Sequence, residues 1–162
     1  QQQADPGVDI APVPPATGAS PGLIVEGFLH AMATYQPGYS VARQFLTPEA
    51  ADQWRPESGV EIYAGGYPPQ VSDSGVVLTA PLVGTLDPDG TFSPGGTPYH
   101  HDFGLVRDAE NQWRISRPPR GLLVWAPGAS ADNSGKHTFV GNTGFTTFAN
   151  EIIFVALAFR PR

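Results

Sequence analysis

Eighteen prolines and nineteen glycines punctuate a chain of 162 residues, and this punctuation limits the possible folds more than any other feature. Proline lacks the amide hydrogen that helix interiors and sheet ladders use, while glycine enters turn conformations that other residues avoid. Together they favour many turns and an extended tail over a helical bundle. Four of the prolines fall in residues 1–19, "QQQADPGVDIAPVPPATGA", which hold little that can pack. This stretch reads as an extended, Pro-rich tether with a solvated backbone.

Helix signals follow at once. Ser20–Pro21 reads as an N-cap with proline at the first helical position. Ile24, Val25, Phe28, Leu29 and Met32 then recur at three- and four-residue spacing, one apolar stripe. Tyr35–Gln36–Pro37–Gly38 ends that helix. A second short helix is expected over Tyr39 to Leu46, with Val41, Ala42 and Phe45 inward. Thr47–Pro48–Glu49 repeats the cap-plus-proline signal, with an acid in the first turn to meet the helix dipole. The third helix carries Ala50, Ala51 and Trp54 and stops before Pro56.

From Gly59 the period changes to two. "VEIY" is a short strand, and Val76 to Leu86 a longer one with Val76, Leu78, Ala80, Leu82 and Leu86 in one phase. Pro81 inside it calls for a sheet edge or a bulge. Asp87–Pro88–Asp89–Gly90 is a turn in which proline presets one dihedral and glycine accepts a positive one. "YHHDFGLVR" and "WRIS" read as two strands joined by Asp108 to Gln112, before a double proline and the apolar run Leu122 to Trp125. Helices first and mostly antiparallel strands afterwards make an α+β arrangement: three short N-terminal helices packed on a curved sheet. The organisation is thus a tether (1–19), a domain (20–125), and a loop with an apolar C-terminal segment (126–162). The last run, "NEIIFVALAFRPR", fits a buried strand or a helix equally well.

Composition removes several functions. Nine basic residues against fifteen acidic ones give a formal charge of -6, with no Lys/Arg cluster, so no nucleic-acid partner is expected. Without cysteine there is no disulfide framework, thiol nucleophile or Cys-ligated zinc. No run approaches the about 18 apolar residues of a membrane span.

The one cluster of reactive side chains is "PYHHDF", residues 98–103. Neighbouring side chains on a strand point to opposite faces. Tyr99, His101, Phe103 and Leu105 share one face; His100, Asp102, Gly104 and Val106 share the other. The three polar groups therefore do not converge on one ion. His100 and Asp102 stand roughly 7 Å apart along the strand. The apolar phase sends His101 toward the core, where it could line a pocket, and leaves His100 and Asp102 solvated. No metal, cofactor or catalytic residue is expected. Arg114, Arg117 and Arg120 could form an anion patch, but scattered pairing with acids such as Asp108 and Glu110 is the plainer reading. There is no G-x-S-x-G elbow, no H-E-x-x-H, and no glycine loop leading into a helix. Trp54, Tyr63, Tyr67, Phe92 and Tyr99 could line a groove, although such aromatics more often fill space between helices and sheet. The candidate pocket is Trp54, Tyr63, Tyr99, His101 and Phe103.

Laid end to end, "SPGLIVEGFLHAM", "YSVARQFLTPEAADQW", "GVEIYAG", "VGTLDPDGTF" and "FGLVRDAENQWRISRPPRGLL" resemble the N-terminal domain of the actinobacterial lipoprotein LpqB family. The likeness runs from about Ser20 to Leu123, and "ARQFLTPEAADQW" and "WRISRPPRGLL" are its most specific blocks. "DPGVDIAPVPP" resembles the lead-in between a lipid-bearing cysteine and this domain. The resemblance implies an NTF2-like (cystatin-like) fold. It also implies an exported protein attached by a lipidated N-terminus to the outer face of the cell membrane, the anchoring residue lying upstream of Gln1. It implies a following GerMN-type domain and a β-propeller-like region, and a part in two-component signalling through the sensor kinase MtrB of the MtrAB system. Residues 126–162 do not match the family's continuation, and no catalytic residue is carried over. The expected function is therefore a non-catalytic interaction module whose partner is the extracytoplasmic part of an MtrB-like kinase. The alternatives are a ligand-binding or enzymatic pocket around His101, and a structural spacer.

Overall fold

The computed structural model describes residues 11–126, together with the backbone of 129–131 and 137–139. Three helices come first. Helix α1 spans Pro21–Ala33; the Ser20 hydroxyl accepts the Leu23 amide at 3.4 Å, and Pro21 occupies the first turn. Its predicted stripe, Ile24, Val25, Phe28, Leu29 and Met32, is buried. Full burial of each such side chain stabilises by about 1.5–3 kcal/mol. The chain turns extended at Thr34, and Pro37–Tyr39 forms one 3₁₀ turn.

Helix α2, Ser40–Arg43, is shorter than the expected Tyr39 to Leu46. Tyr39 takes a left-handed backbone (φ 51°), and the amides of Gln44, Phe45 and Leu46 tighten onto carbonyls three residues back. The next backbone groups are claimed elsewhere: Ile115 N–H donates to Phe45 O, and Thr47 N–H donates to Ile115 O. Tertiary pairing thus ends a helix that local spacing alone would continue. Helix α3, Pro48–Gln53, is capped by the Thr47 hydroxyl accepting the Ala50 amide at 3.2 Å. It ends at Trp54, as Pro56 requires.

The strands are β1 (Val60–Ala64), β2 (Gln70–Ser72), β3 (Gly75–Ala80), β4 (Leu82–Leu86), β5 (Phe92–Pro94), β6 (Tyr99–Asp102), β7 (Leu105–Arg107), β8 (Trp113–Ile115) and β9 (Leu122–Ala126). Two further short strands, β10 (Ala129–Ala131) and β11 (His137–Phe139), pair with each other. The expectation for "NEIIFVALAFRPR" lies outside the described residues. Where the sequence suggested one curved sheet, hydrogen bonding divides most of the strands between a four-stranded sheet, β5-β4-β1-β9, and a three-stranded sheet, β2-β3-β6. Strands β7 and β8 form a hairpin. β9 runs parallel to β1; the other described strand pairings are antiparallel. The molecule is α+β.

Pro81 is the hinge of this division. One continuous stretch of chain enters it as β3 and leaves it as β4, passing from one sheet to the other, while Pro81 O accepts the Ala64 amide. Next to it Tyr63 pairs with Leu82 but Ile62 pairs with Gly84, so Val83 is an extra residue, a bulge. The single phase expected from Val76 to Leu86 therefore slips. Val76, Leu78 and Ala80 are buried, Leu82 is only half-buried, and Val83 takes the inward place. The core collects Phe28 and Met32 from α1, Ile62 and Leu122 from the first sheet, Leu78 from the second, and Ile115 from the hairpin. Helix α1 closes it, in contact with β9, β8, β3 and β2.

Candidate functional site

Strand β6 presents the reactive cluster with Thr79 opposite His100, Leu78 opposite His101 and Val77 opposite Asp102. Alternation sends His100 outward, where its Nδ1 and the Thr79 hydroxyl share a hydrogen bond at 2.9 Å. His101 turns inward and is half-buried. Its ring stacks toward Tyr99 (centroids 6.2 Å) and meets the Phe103 ring edge-on at 4.8 Å. Its Nε2–H donates to the Arg117 carbonyl at 2.8 Å, which fixes the tautomer. Burial disfavours the imidazolium and holds the pKa below the ordinary value of 6.5.

Asp102 faces away from that ring. Its Oδ1 accepts the Gly104 amide and its Oδ2 accepts Arg117, each at 2.9 Å. The amide first, and Arg117 with it, hold the carboxyl below its ordinary value. Gly104 makes this turn possible: its φ is +59°, and a Cβ there would stand 2.6 Å from Arg117 Nε and 2.7 Å from Ser116 Oγ. The left-handed residue also splits the expected strand "YHHDFGLVR" into β6 and β7. Among the described residues, no three His, Asp or Glu side chains are grouped as a metal site.

The candidate pocket does not assemble as one cavity. Tyr99, His101 and Phe103 form a packed belt. Tyr63 lies within electrostatic reach of Tyr99, whose phenol is pushed up by burial and then by Glu61 and Tyr63. Trp54 stands apart. Its Nε1–H donates to Gly121 O at 3.0 Å, and its ring packs on Phe28 and Tyr39 under the Arg43 guanidinium. The arginines disperse in the same way. Arg114 pairs with Asp108 at 3.4 Å and Arg117 with Asp102 at 2.9 Å. Arg120 instead lines a shallow cleft of about 330 Å³ with Arg55, Trp54 and Pro119.

A larger concavity, about 390 Å³, opens beside α1. Glu26, Leu29 and His30 form one wall, at the i, i+3, i+4 spacing that places side chains on one helical face. The Gly65–Pro69 loop with Tyr67 forms the other, and Tyr63 and Trp125 lie between them. Burial of Tyr63 pushes its phenol up to about 12. The His30 ring meets the Trp125 ring edge-on at 5.1 Å, and Gly65 N–H donates to Ala126 O, tying the loop to β9. His101 lines neither concavity. The sequence reading named Tyr63 and Tyr67 but missed Glu26, His30 and Trp125. The helical spacing beside the apolar stripe was the available signal for the first two. For Trp125 there was none, because the parallel pairing of β9 with β1 decides its neighbours.

An α+β domain with shallow clefts and a packed histidine is compatible with many lineages, and comparison with known proteins selects one. Residues 14–129 match the family described as "Lipoprotein LpqB, N-terminal domain". Lipoprotein LpqB of Cutibacterium acnes is 45% identical over 123 residues, which cover 75% of this chain and 21% of that protein. Lipoprotein LpqB of Streptomyces coelicolor is 35% identical over 130 residues, 74% of this chain and 21% of that protein. Lipoprotein LpqB of Bifidobacterium longum is 32% identical over 129 residues, 70% of this chain and 22% of that protein. No solved structure matches. This is a lipoprotein-family domain, and the chain belongs to the LpqB N-terminal domain family. It spans about a fifth of the length of these curated relatives.

Proposed function

We propose that this domain is a non-catalytic recognition module of an exported, lipid-anchored envelope protein, held at the outer face of the cell membrane. Its partner is the extracytoplasmic part of an MtrB-like sensor kinase, through which the protein would modulate two-component signalling. In this reading the fold is a variant of the NTF2-like (cystatin-like) plan, and the Pro-rich stretch 1–19 is the tether from the anchor. Residues 20–125 do the recognising.

One observation carries the non-catalytic part. The inward histidine of that cluster is packed: its ring lies between Tyr99 and Phe103, its Nε2–H donates to the Arg117 carbonyl, and Nδ1 is left as its acceptor nitrogen. A general base needs an acceptor nitrogen within reach of a substrate proton, beside a space for substrate. His101 lines neither of the two concavities described above, and the nearby Asp102 carboxylate is taken by Gly104 and Arg117. That arrangement supports packing over catalysis and weighs against a pocket reading around His101. Recognition is tested by titrating the domain with the extracytoplasmic segment of the kinase and following association by calorimetry. Saturable binding is expected; no association at high micromolar concentration removes this domain as the contact.

A further inference from the structure

We infer that the groove between α1 and the Gly65–Pro69 loop receives an arginine or lysine side chain from an extended segment of a protein partner. The inference rests on the recognition reading and gives it a place and a chemistry. Three aromatic side chains line the groove: Tyr67 is 46% exposed, Trp125 is half-buried, and Tyr63 is buried. Tryptophan and tyrosine faces attract a cation through the ring quadrupole, more strongly where water is partly excluded. Glu26, on the exposed part of α1, supplies a carboxylate at the same wall, and no lysine or arginine lines the groove to compete for it.

His30 is the remaining ionisable nitrogen, and it is turned edge-on against Trp125. Neither Pro68 nor Pro69 has an amide hydrogen to offer an anion. The carboxylate and the aromatic rings favour positive charge, as does the formal charge of -6 on the chain. Gly66, at φ +90° with nothing within 4 Å of a Cβ position, keeps the rim open for a backbone to pass.

The probe is an acetylated, amidated hexapeptide with two arginines and two prolines, compared with its twin in which citrulline replaces arginine. The readout is the set of indole and backbone N–H resonances of the full chain. Trp125 and the amides of Gly65 and Gly66 should shift on adding the arginine peptide, while Trp54, committed to Gly121, stays still. Glu26→Gln and Tyr67→Ala, both at exposed positions, should each weaken binding about twofold to fivefold. Equal binding of the citrulline twin, unchanged affinity in both variants, or no shift at millimolar peptide would overturn the inference. Titration with the kinase segment separates the two readings. If that segment binds and the arginine peptide does not, only this inference falls; if neither binds, recognition by this domain falls with it.

Discussion

Strand β6 and the groove beside α1 divide the molecule's polar chemistry in opposite ways. β6 carries two histidines and an aspartate in succession, yet each is committed: His100 to Thr79, His101 to the Arg117 carbonyl, Asp102 to Gly104 and Arg117. The groove carries one carboxylate, one imidazole, and rings and prolines that no motif search selects, yet it is open. Reactive residue types therefore locate a site less well than uncommitted surface does. A strand's alternation scatters neighbouring residues to opposite faces, whereas a groove gathers residues from distant stretches of chain.

Four substitutions bear on that contrast. The largest effect belongs to Phe28→Ala, which empties a fully buried ring position in the core. It should cost about 3–5 kcal/mol by denaturant unfolding and abolish ligand binding through loss of the fold. A small loss would mean that α1 is not the closure of the core.

Gly104→Ala comes next, at about 1–2 kcal/mol, because an L-residue is strained at φ +59° and its Cβ would press on Ser116 and Arg117. It should loosen the β6 belt and leave the groove's peptide affinity unchanged. A change in that affinity would show that the two regions are coupled.

His101→Phe should cost about 1 kcal/mol at pH 7, one hydrogen bond. It should also alter the acid limb. The folded pKa of His101 lies below 6.5, so the unfolded chain takes the proton first. Stability present above pH 6.5 is then lost as the pH falls toward the folded value. Glu61 acts in the opposite sense. Burial raises its pKa above 4.5, so the cost of its charge at neutral pH is relieved as the pH falls through the folded value. Urea midpoints at pH 7 and pH 5 should therefore differ less in His101→Phe than in the parent. An unchanged difference would remove His101 as the source.

Tyr67→Ala is the smallest perturbation of stability, within about 0.5 kcal/mol for an exposed position. Its thermal unfolding should overlay the parent's while peptide binding drops.

Much of the fold is legible along the chain because local rules decide it. Ser20 and Thr47 each start a helix by accepting an amide three residues on, with proline in the first turn. Pro81 calls for a sheet edge or a bulge, and a bulge follows at Val83. Strands β2 and β5 passed unnoticed for an equally local reason: all their residues are exposed, so neither has an apolar face to create alternation. The slip of phase at Val83 and the early end of α2 are different in kind, since distant partners, Ile62 with Tyr63 and Ile115, impose them.

The sequence by itself determined where helices begin, where the chain must turn, the class of the fold and the family. It also determined that "PYHHDF" could not bring its three polar groups to one point, because alternation is a property of the backbone. The tertiary structure alone decided that Trp54 packs on Phe28 and Tyr39 and donates to Gly121, apart from Tyr99, His101 and Phe103, and that Trp125 lines one groove with Glu26, His30 and Tyr67. Such meetings join residues tens of positions apart, and they depend on the packing of α1 on β9 and the pairing of β9 with β1, which no spacing along the chain encodes.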